Sequence, residues 1–351
     1  IRFLSTDADR IAIKGSGYIE TATLQFQVND SNGNPLNGEP VYFALSGPGG
    51  GAYITPLESS TNAEGIAEVI LHSGSVAGPA TIQASIITDG GITMTSQAST
   101  VSIGGGVPSA KRFSVAATEL GLPGLAENGV ETEITAYLAD RFGNYNLLTG
   151  TTVSFITEQG LAIDTNQVTV DEGGTATAIA YTQHPAGSFT SCEDVAEDPW
   201  ETALIDHIWT TYGGTLLGNP RDGLCSVMVY VEGEEHFYDA NANGVYDAWE
   251  GFVDTDADPF IDYNDDGLRD NGSFDPFEEY IDSGTQNGVW DGKNGVWDST
   301  KNIFANFDIL LTGEPYLIAA SDTSIEVPDN GSRTFSVILC DRNGNYLNEG
   351  S

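Results

Sequence analysis

Positive charge is what this chain has least of. Twelve Lys and Arg stand against 51 Asp and Glu in 351 residues, a formal net charge of -39 with His neutral. A surface of that sign repels phosphate backbones and anionic bilayers, which excludes nucleic acid and membrane surfaces as default partners. Long apolar runs are missing as well, so no membrane insertion is expected in this segment. The N-terminus shows neither the basic nor the apolar region of a signal peptide and opens on a strand-like segment, so a mature or trimmed start is expected. Cysteine is rare: Cys192, Cys225 and Cys340 include no pair at C-x-x-C spacing, which argues against zinc and redox sites of that kind. Their reading is one disulfide, Cys192 to Cys225, with Cys340 left over; the alternative is inert buried thiols. Catalytic motifs are absent too, with no G-x-S-x-G, no H-E-x-x-H and no Cys and His nucleophile pairing. His207, on a predicted helix, and His236, beside Glu234 and Glu235, are the only acid–base candidates. A helix His is more often a packing or surface residue, and the acids already have calcium roles at their spacings, so the chain is read as non-enzymatic, with a carbohydrate-active enzyme using paired carboxylates as the lesser alternative.

What is abundant is acid, and it is concentrated. Residues 239–298 hold sixteen Asp and Glu against one Arg and one Lys, with Gly and Asn at the turns. Such a segment does not compact unless its charge is cancelled, and calcium is the expected canceller. A loop of the EF-hand kind places oxygen ligands at positions 1, 3, 5, 9 and 12, a carbonyl at 7 and glycine at 6. Asp239, Asn241, Asn243, Gly244, Val245, Asp247 and Glu250 fill those positions without a gap. A second, weaker loop has Asp254, Asp256, Asp258 and Asp262 at positions 1, 3, 5 and 9 and Asp265 at 12, but Pro259 replaces the turn glycine. Asp262 then restarts the count with Asn264, Asp266, Gly267, Leu268 and Asp270, so that one carboxylate is expected to bridge two ions.

A shift of twenty-eight residues lays Asn271-Gly272, Asp275, Glu278, Tyr280 and Asp282 over Asn243-Gly244, Asp247, Glu250, Phe252 and Asp254, which marks an internal repeat. Two further copies, Asn287-Gly-Val-Trp-Asp291 and Asn294-Gly-Val-Trp-Asp298, keep the turn and the ninth-position Asp but lack the first acidic ligands. These are read equally as turns or as metal sites. The chained loops resemble thrombospondin type 3 repeats. No amphipathic helix flanks them, so several calcium ions acting as a staple are expected rather than a sensor.

Elsewhere short alternating strands separated by Gly, Pro, Asn and Ser turns predict an all-β sandwich architecture. One figure recurs three times. Leu24, Phe26 and Val28 precede Asp30-Ser-Asn-Gly-Asn34; Ile134, Ala136 and Leu138 precede Asp140-Arg-Phe-Gly-Asn144; Phe335, Val337 and Leu339 precede Asp341-Arg-Asn-Gly-Asn345. The constant offset fixes one face of the strand relative to the turn. Three homologous domains follow: 1–108, 109–312, and a partial third copy over 313–351. The second carries two insertions. One spans 192–225, set between adjacent strands, with a helix predicted over Pro199 to Tyr212 behind an Asp198 cap. The other is the calcium segment 239–298, ahead of a final strand Phe304 to Leu311. All five Trp, at 200, 209, 249, 290 and 297, fall in the insertions, either as core filler or as sugar-stacking surfaces.

The Asp-x-x-Gly-Asn turn, the Val-rich strand after it, Asn62-Ala-Glu-Gly-Ile-Ala-Glu-Val69 and Ala77-Gly-Pro-Ala-Thr-Ile82 together resemble the group 1 bacterial immunoglobulin-like domain of invasin and intimin stalks. That resemblance implies tandem Ig-like β-sandwiches used as rigid spacers or adhesive modules on bacterial surfaces, and it carries over no catalytic residue. The expected function is an extracellular, calcium-stabilised stalk or fibre subunit whose partners are adjoining Ig-like domains or other copies of itself. A calcium-dependent adhesin binding a glycan or surface protein is the alternative. In the third copy Phe335, Val337 and Leu339 are expected to be bare unless something covers them, either further chain or a neighbouring subunit's strands. Cys340 is expected to point away from that face.

Overall fold

The structure is a computed structural model that describes residues 1–148, 150–158, 160–183, 199–218, 220–263, 267–271, 278–283, 286–322, 324, 326–327 and 329–347. In the first domain the strands are β1 (Arg2–Thr6), β2 (Arg10–Ala12), β3 (Thr21–Gln27), β4 (Pro40–Ser46), β5 (Tyr53–Thr55), β6 (Glu58–Ser60), β7 (Ile66–His72), β8 (Gly78–Ile87), β9 (Thr93–Thr95) and β10 (Ser99–Gly104). The second has β11 (Phe113–Ala117), β12 (Gly121–Leu122), β13 (Glu131–Leu138), β14 (Thr152–Thr157), β15 (Leu161–Ile163), β16 (Gln167–Thr169), β17 (Thr175–Thr182), β18 (Leu224–Gly233) and β19 (Lys301–Leu311). Between β17 and β18 lies α1 (Pro199–His207), and β20 (Leu317–Ala320) pairs with β21 (Val337–Cys340) at the C-terminus.

Both complete domains are two-sheet sandwiches with the same strand order. β1-β3-β7-β5 faces β2-β10-β8-β4-β6, with β9 added on β8; β11-β13-β17-β15 faces β12-β19-β18-β14-β16. The alternation in β3 and β13 explains why. Leu24, Phe26, Val28, Ile134, Ala136 and Leu138 are all buried, each in the core between its two sheets. β18 departs from alternation and is buried along nearly its whole length. Its outer face is covered: Ser226 Oγ donates to the Asp262 carbonyl at 2.8 Å, and on β19 Asn306 Nδ2 donates to the Phe260 carbonyl at 3.0 Å. A strand enclosed on both faces reads as continuous rather than alternating.

The three Asp-x-x-Gly-Asn turns have one geometry. In each, an Asp Oδ1 accepts N–H groups two and four residues on, at 2.8–3.0 Å. The glycines Gly33, Gly143 and Gly344 all sit at φ 87–88°, a conformation that disfavours any side chain. Two of these turns also hold the linker that precedes them. Gly106, two residues past β10, donates to Asp140 Oδ2 at 2.9 Å, and Gly313, two residues past β19, donates to Asp341 Oδ2 at 2.9 Å.

Several expectations change. The first insertion does not join adjacent strands: β17 and β18 lie in opposite sheets. The helix forms from Pro199 and ends in a π-helical turn, Ile208–Tyr212, stopped by Gly213 at φ 65°; Asp198 lies outside the described residues. The last strand begins at Lys301, three residues earlier than expected. No disulfide is present among the described residues. Cys192 lies outside them, and Cys225, fully buried in the second core, directs its Sγ to the Glu158 carbonyl at 3.7 Å. In the third copy Phe335, Val337 and Leu339 are 45–56% exposed. Cys340 is out of phase with them, as expected, yet it is 2% exposed because it packs at the junction with the second domain, near Leu204, Pro220 and Leu310.

Candidate metal centre

The acidic segment is built from one five-residue unit used four times: an acid, any residue, an aromatic, any residue, Asp. The copies are Glu235-His-Phe237-Tyr-Asp239, Glu250-Gly-Phe252-Val-Asp254, Asp258-Pro-Phe260-Ile-Asp262 and Glu278-Glu-Tyr280-Ile-Asp282. They pair antiparallel through isolated bridges, Phe237 to Phe252 and Phe260 to Tyr280. An antiparallel pair of identical units is locally two-fold. Each end therefore presents one leading acid and one trailing Asp, and a loop closes on each end.

The first end is the contiguous loop 239–250. Asp239 Oδ2 accepts the Gly244 N–H at 2.9 Å, while Glu250 accepts Ala240 N–H on Oε1 at 2.8 Å and Asp247 N–H on Oε2 at 3.1 Å. The loop from Asp262 repeats this. Asp262 Oδ2 accepts Gly267 N–H at 2.9 Å, and Glu278 accepts Tyr263 and Asp270 N–H, both at 2.8 Å. Glu278, sixteen residues after Asp262, thus occupies the place that Glu250 holds eleven after Asp239.

The other two ends are assembled from separate segments. Asp282 Oδ2 accepts Gly288 N–H at 2.7 Å, and the closing acid is Asp258, which accepts Ser283 N–H on Oδ1 and Asp291 N–H on Oδ2, both at 2.8 Å. Asp254 Oδ2 accepts Gly295 N–H at 2.7 Å, and the closing acid is Glu235, which accepts Thr255 N–H at 2.8 Å and Asp298 N–H at 3.1 Å. The two Asn-Gly-Val-Trp-Asp stretches therefore do have first acidic partners, borrowed from elsewhere in the chain. All four turn glycines, Gly244, Gly267, Gly288 and Gly295, lie at φ 74–76°. Asn243, Asn287 and Asn294 each accept the N–H two residues on at 2.7 Å and donate to the ninth-position Asp at 2.9–3.0 Å.

This geometry regroups the residues expected to act together. Asp254, Asp256, Asp258 and Asp262 do not form one loop. Pro259 has no N–H to give a first-position Asp and its φ is fixed negative, so the chain runs straight through as a bridge strand. Asp254 and Asp258 serve different loops, and Asp262 starts a single loop of its own. Asp256, third from Asp254, places Oδ1 beside Gly292. Val245 and Leu268 occupy seventh positions and are exposed. Asn264, Asp265, Asp266 and Asp275 lie outside the described residues. Sequence reasoning missed Glu235 as a loop partner; the signal was its place four residues before Asp239, the same spacing as Glu250 to Asp254.

The closing acids are deeply placed: Glu235 and Asp258 are 0% exposed, Glu278 1% and Glu250 6%. Burial pushes Glu278 up to about 7, with Asp262 and Asp270 acting in the same direction. Burial likewise raises Glu234 to about 6 against its pairing with Arg141. Among the described residues no three His, Cys, Asp or Glu side chains gather into a metal-holding group. What the loops offer is carboxylate, carboxamide and carbonyl oxygen in mixed sets, the hard-donor composition that suits calcium. Each closing carboxylate accepts donors on both oxygens, and a carboxylate has about four acceptor sites, so Glu250, Glu278 and Asp258 keep capacity for a cation. Two first-position oxygens, Asp254 Oδ1 and Asp282 Oδ1, are buried with no hydrogen-bond partner. An acceptor in that state lacks compensation, and a cation would supply it. The end closed by Glu235 fits less well, because its Oε1 also accepts Thr255 Oγ1 at 3.1 Å and Lys301 Nζ at 2.9 Å.

Aromatics fill the space between ends. Tyr246 stacks on Trp297 at 4.7 Å and meets Phe237 and Phe252 edge-on, Phe237 also meets Trp297 edge-on, and Phe260 meets Trp290 and Phe304 edge-on. Trp290 and Trp297 donate Nε1–H to the carbonyls of Asp258 and Glu235 at 3.0 and 2.9 Å. These two Trp are core filler; Trp249 and Trp209 are more than 60% exposed. His207 shares a hydrogen bond with Thr211, and His236 lies edge-on to Tyr238 with its pKa lowered by burial and by Lys111 and Arg112.

Residues 4–102 match the family model described as Bacterial Ig-like domain (group 1). Over 173 residues, 48% of this chain, the sequence is 34% identical to the inverse autotransporter adhesin YeeJ of Escherichia coli strain K12, and the chain spans 7% of that protein's length. The Escherichia coli adhesin FdeC aligns over 71% of this chain and 62% of its own at 17% identity and a TM-score of 0.36. Invasin, a bacterial integrin-binding protein, aligns over 72% of this chain and 39% of its own at 19% identity and a TM-score of 0.25. Alignments at those TM-scores carry no functional argument. The first sandwich, then, matches the group 1 bacterial Ig-like domain, and YeeJ, similar over about half of the chain, is a bacterial adhesin.

Proposed function

We propose that this chain is a length of an extracellular bacterial stalk, a tandem of Ig-like sandwiches whose second member is stapled by several calcium ions. The residues that would hold them are Asp239, Asn241, Asn243, Val245 carbonyl, Asp247 and Glu250 at the first end, and Asp262, Leu268 carbonyl, Asp270 and Glu278 at the second. Asp282, Asp291 and Asp258 would serve the third end, and Asp254, Asp256, Asp298 and Glu235 the fourth. A bound cation supplies charge cancellation. The side chains already hold the loop backbones in place through the N–H bonds described above.

The observation that carries this reading is the pair of buried, unpartnered oxygens, Asp254 Oδ1 and Asp282 Oδ1, at the same first position of two loops. The role is read as structural, since the resemblance to Ig-like stalk modules carries over no catalytic residue. Isothermal calorimetry with calcium and with magnesium, together with melting of the chain in chelator, tests it. Several calcium equivalents and a lower melting temperature in chelator are expected. No calcium heat and an unchanged melt would refute it. The adhesin reading rests on the relatives named above, and a glycan or cell-surface binding screen with the intact chain tests that separately.

A further inference from the structure

The two insertions of the second sandwich emerge from opposite ends of β18 and reach opposite neighbours. The acidic segment meets the first sandwich. A Cβ added at Gly15 would stand 2.8 Å from the Gly244 carbonyl oxygen, and one added at Gly244 would stand 2.8 Å from Phe142 Cζ. Arg141, in the turn of the second sandwich, ties these together. Its Nη1 donates to the Gly244 carbonyl at 2.8 Å, its Nη2 to the Gly15 carbonyl at 3.4 Å, and its Nε to Glu234 at 2.7 Å. Next to this wedge the joint is made by Gly106 on Asp140 at 2.9 Å and by Asn144 with Ala77 N–H and the Ser75 carbonyl at 3.1 and 3.0 Å.

The other insertion braces the junction with the third copy without any acid of the 239–298 segment. Leu217 and Gly218 donate N–H to the Arg342 carbonyl at 3.0 and 3.1 Å, and Leu216 and Ile208 pack on Gly344.

We propose that cation binding by the loop 239–250 stiffens the joint between the first and second sandwiches and leaves the joint between the second sandwich and the third copy unchanged. This rests on the calcium reading above. Gly244 is the turn residue of that loop: Asp239 holds its N–H at 2.9 Å, and its carbonyl shares a peptide plane with the Val245 N–H, which Asn243 Oδ1 holds at 2.7 Å. Asp239, Asp247 and Glu250 place three carboxylates on one twelve-residue loop, and a cation would offset their mutual repulsion. A bound cation adds to the hold that the N–H bonds already give this loop, and so to the hold on the Gly244 contacts with Arg141 and Gly15; without it those contacts break more often. No such chain leads to Arg342.

Hydrogen exchange read by mass spectrometry on the intact chain, in calcium and in chelator, tests the proposal. Peptides containing the Gly106 and Ala77 amides should exchange about tenfold faster or more in chelator, and those containing Gly313, Leu217 and Gly218 less than about twofold faster. Equal loosening of both joints, or none at either, overturns it. Calorimetry on the same sample separates the two readings: heat of calcium binding with no change at Gly106 and Ala77 sinks the joint proposal alone, whereas no heat sinks both. Arg141→Lys keeps a cation opposite Glu234 but not the two-carbonyl reach. It should bind calcium with the same stoichiometry and lose most of the calcium-dependent protection at Gly106. Full protection in that variant overturns the role given to Arg141.

Discussion

Asp258→Asn tests the composite loops most directly. Asp258 is 0% exposed and acts as a pure acceptor: Oδ1 takes Ser283 N–H at 2.8 Å and Ser283 Oγ at 3.1 Å, and Oδ2 takes Asp291 N–H at 2.8 Å. An amide of the same shape must point its NH2 at one of those backbone donors. One buried N–H is then left unsatisfied, a cost of about 1–3 kcal/mol. In a domain the size of 109–312, each kcal/mol moves the melting temperature by about 2–4 °C, so a fall of roughly 2–12 °C is expected without any cation. With calcium the loss should be larger, since the variant also removes the closing carboxylate of one loop, and calorimetry should count one ion fewer. Asp256→Asn is the control for the melt without cation, because among the described residues its carboxylate accepts no hydrogen bond from another segment. An unchanged calcium stoichiometry in Asp258→Asn, with a melt equal to that of Asp256→Asn, would refute the assembly of that loop from residues 258 and 282–291.

Gly244→Ala should destabilise the first loop by about 1 kcal/mol from its φ of 76° alone, and by more from the Phe142 contact; a calcium titration showing unweakened binding would contradict this. Glu250→Gln should weaken the first loop more than Asp298→Asn weakens the fourth, because Glu250 bonds on both oxygens within a complete loop whereas the fourth end already has Lys301 on its closing acid; calorimetry on the two variants would show the opposite order if the grouping is wrong. Phe155→Ala, at a 1% exposed core position, should cost about 3–5 kcal/mol of the second sandwich and leave melting of the first unchanged, as followed by differential scanning calorimetry. Cys340, buried and with its thiol pushed up by burial and by Asp341, should resist alkylation until the last junction opens; rapid labelling of the native chain would show that the junction is not closed.

The sandwiches were legible because period-two alternation and the Asp-x-x-Gly-Asn turn are local signals, and Leu24, Phe26, Val28, Ile134, Ala136 and Leu138 all lie where the pattern puts them. Phe335, Val337 and Leu339 show the limit of that logic. A pattern identifies a face, but burial needs a second sheet to lie against it. The same distinction governs the acidic segment. Spacing reveals a loop whose partners are consecutive, such as 239–250. It cannot reveal that Asp258 closes on a loop 33 residues later or Glu235 on one 63 residues later, because that pairing is set by the antiparallel bridges at Phe237 and Phe260. Counting on from Asp254 by the loop rule therefore joined carboxylates that Pro259 keeps apart.

The turn that holds each linker has a consequence for how such chains change over generations. The clasp at both junctions consists of a glycine two residues past the last strand of one sandwich and the aspartate of the Asp-x-x-Gly-Asn turn of the next. The second sandwich thus carries half of a fastener at its front and the matching half at its back. A copy bounded this way can be duplicated or lost without redesigning the seam. Joining residues 1–106 directly to 314–351 should therefore regenerate the Gly106-to-aspartate bond, now to Asp341, and an unprotected Gly106 amide in that shortened chain would show that the halves are not interchangeable.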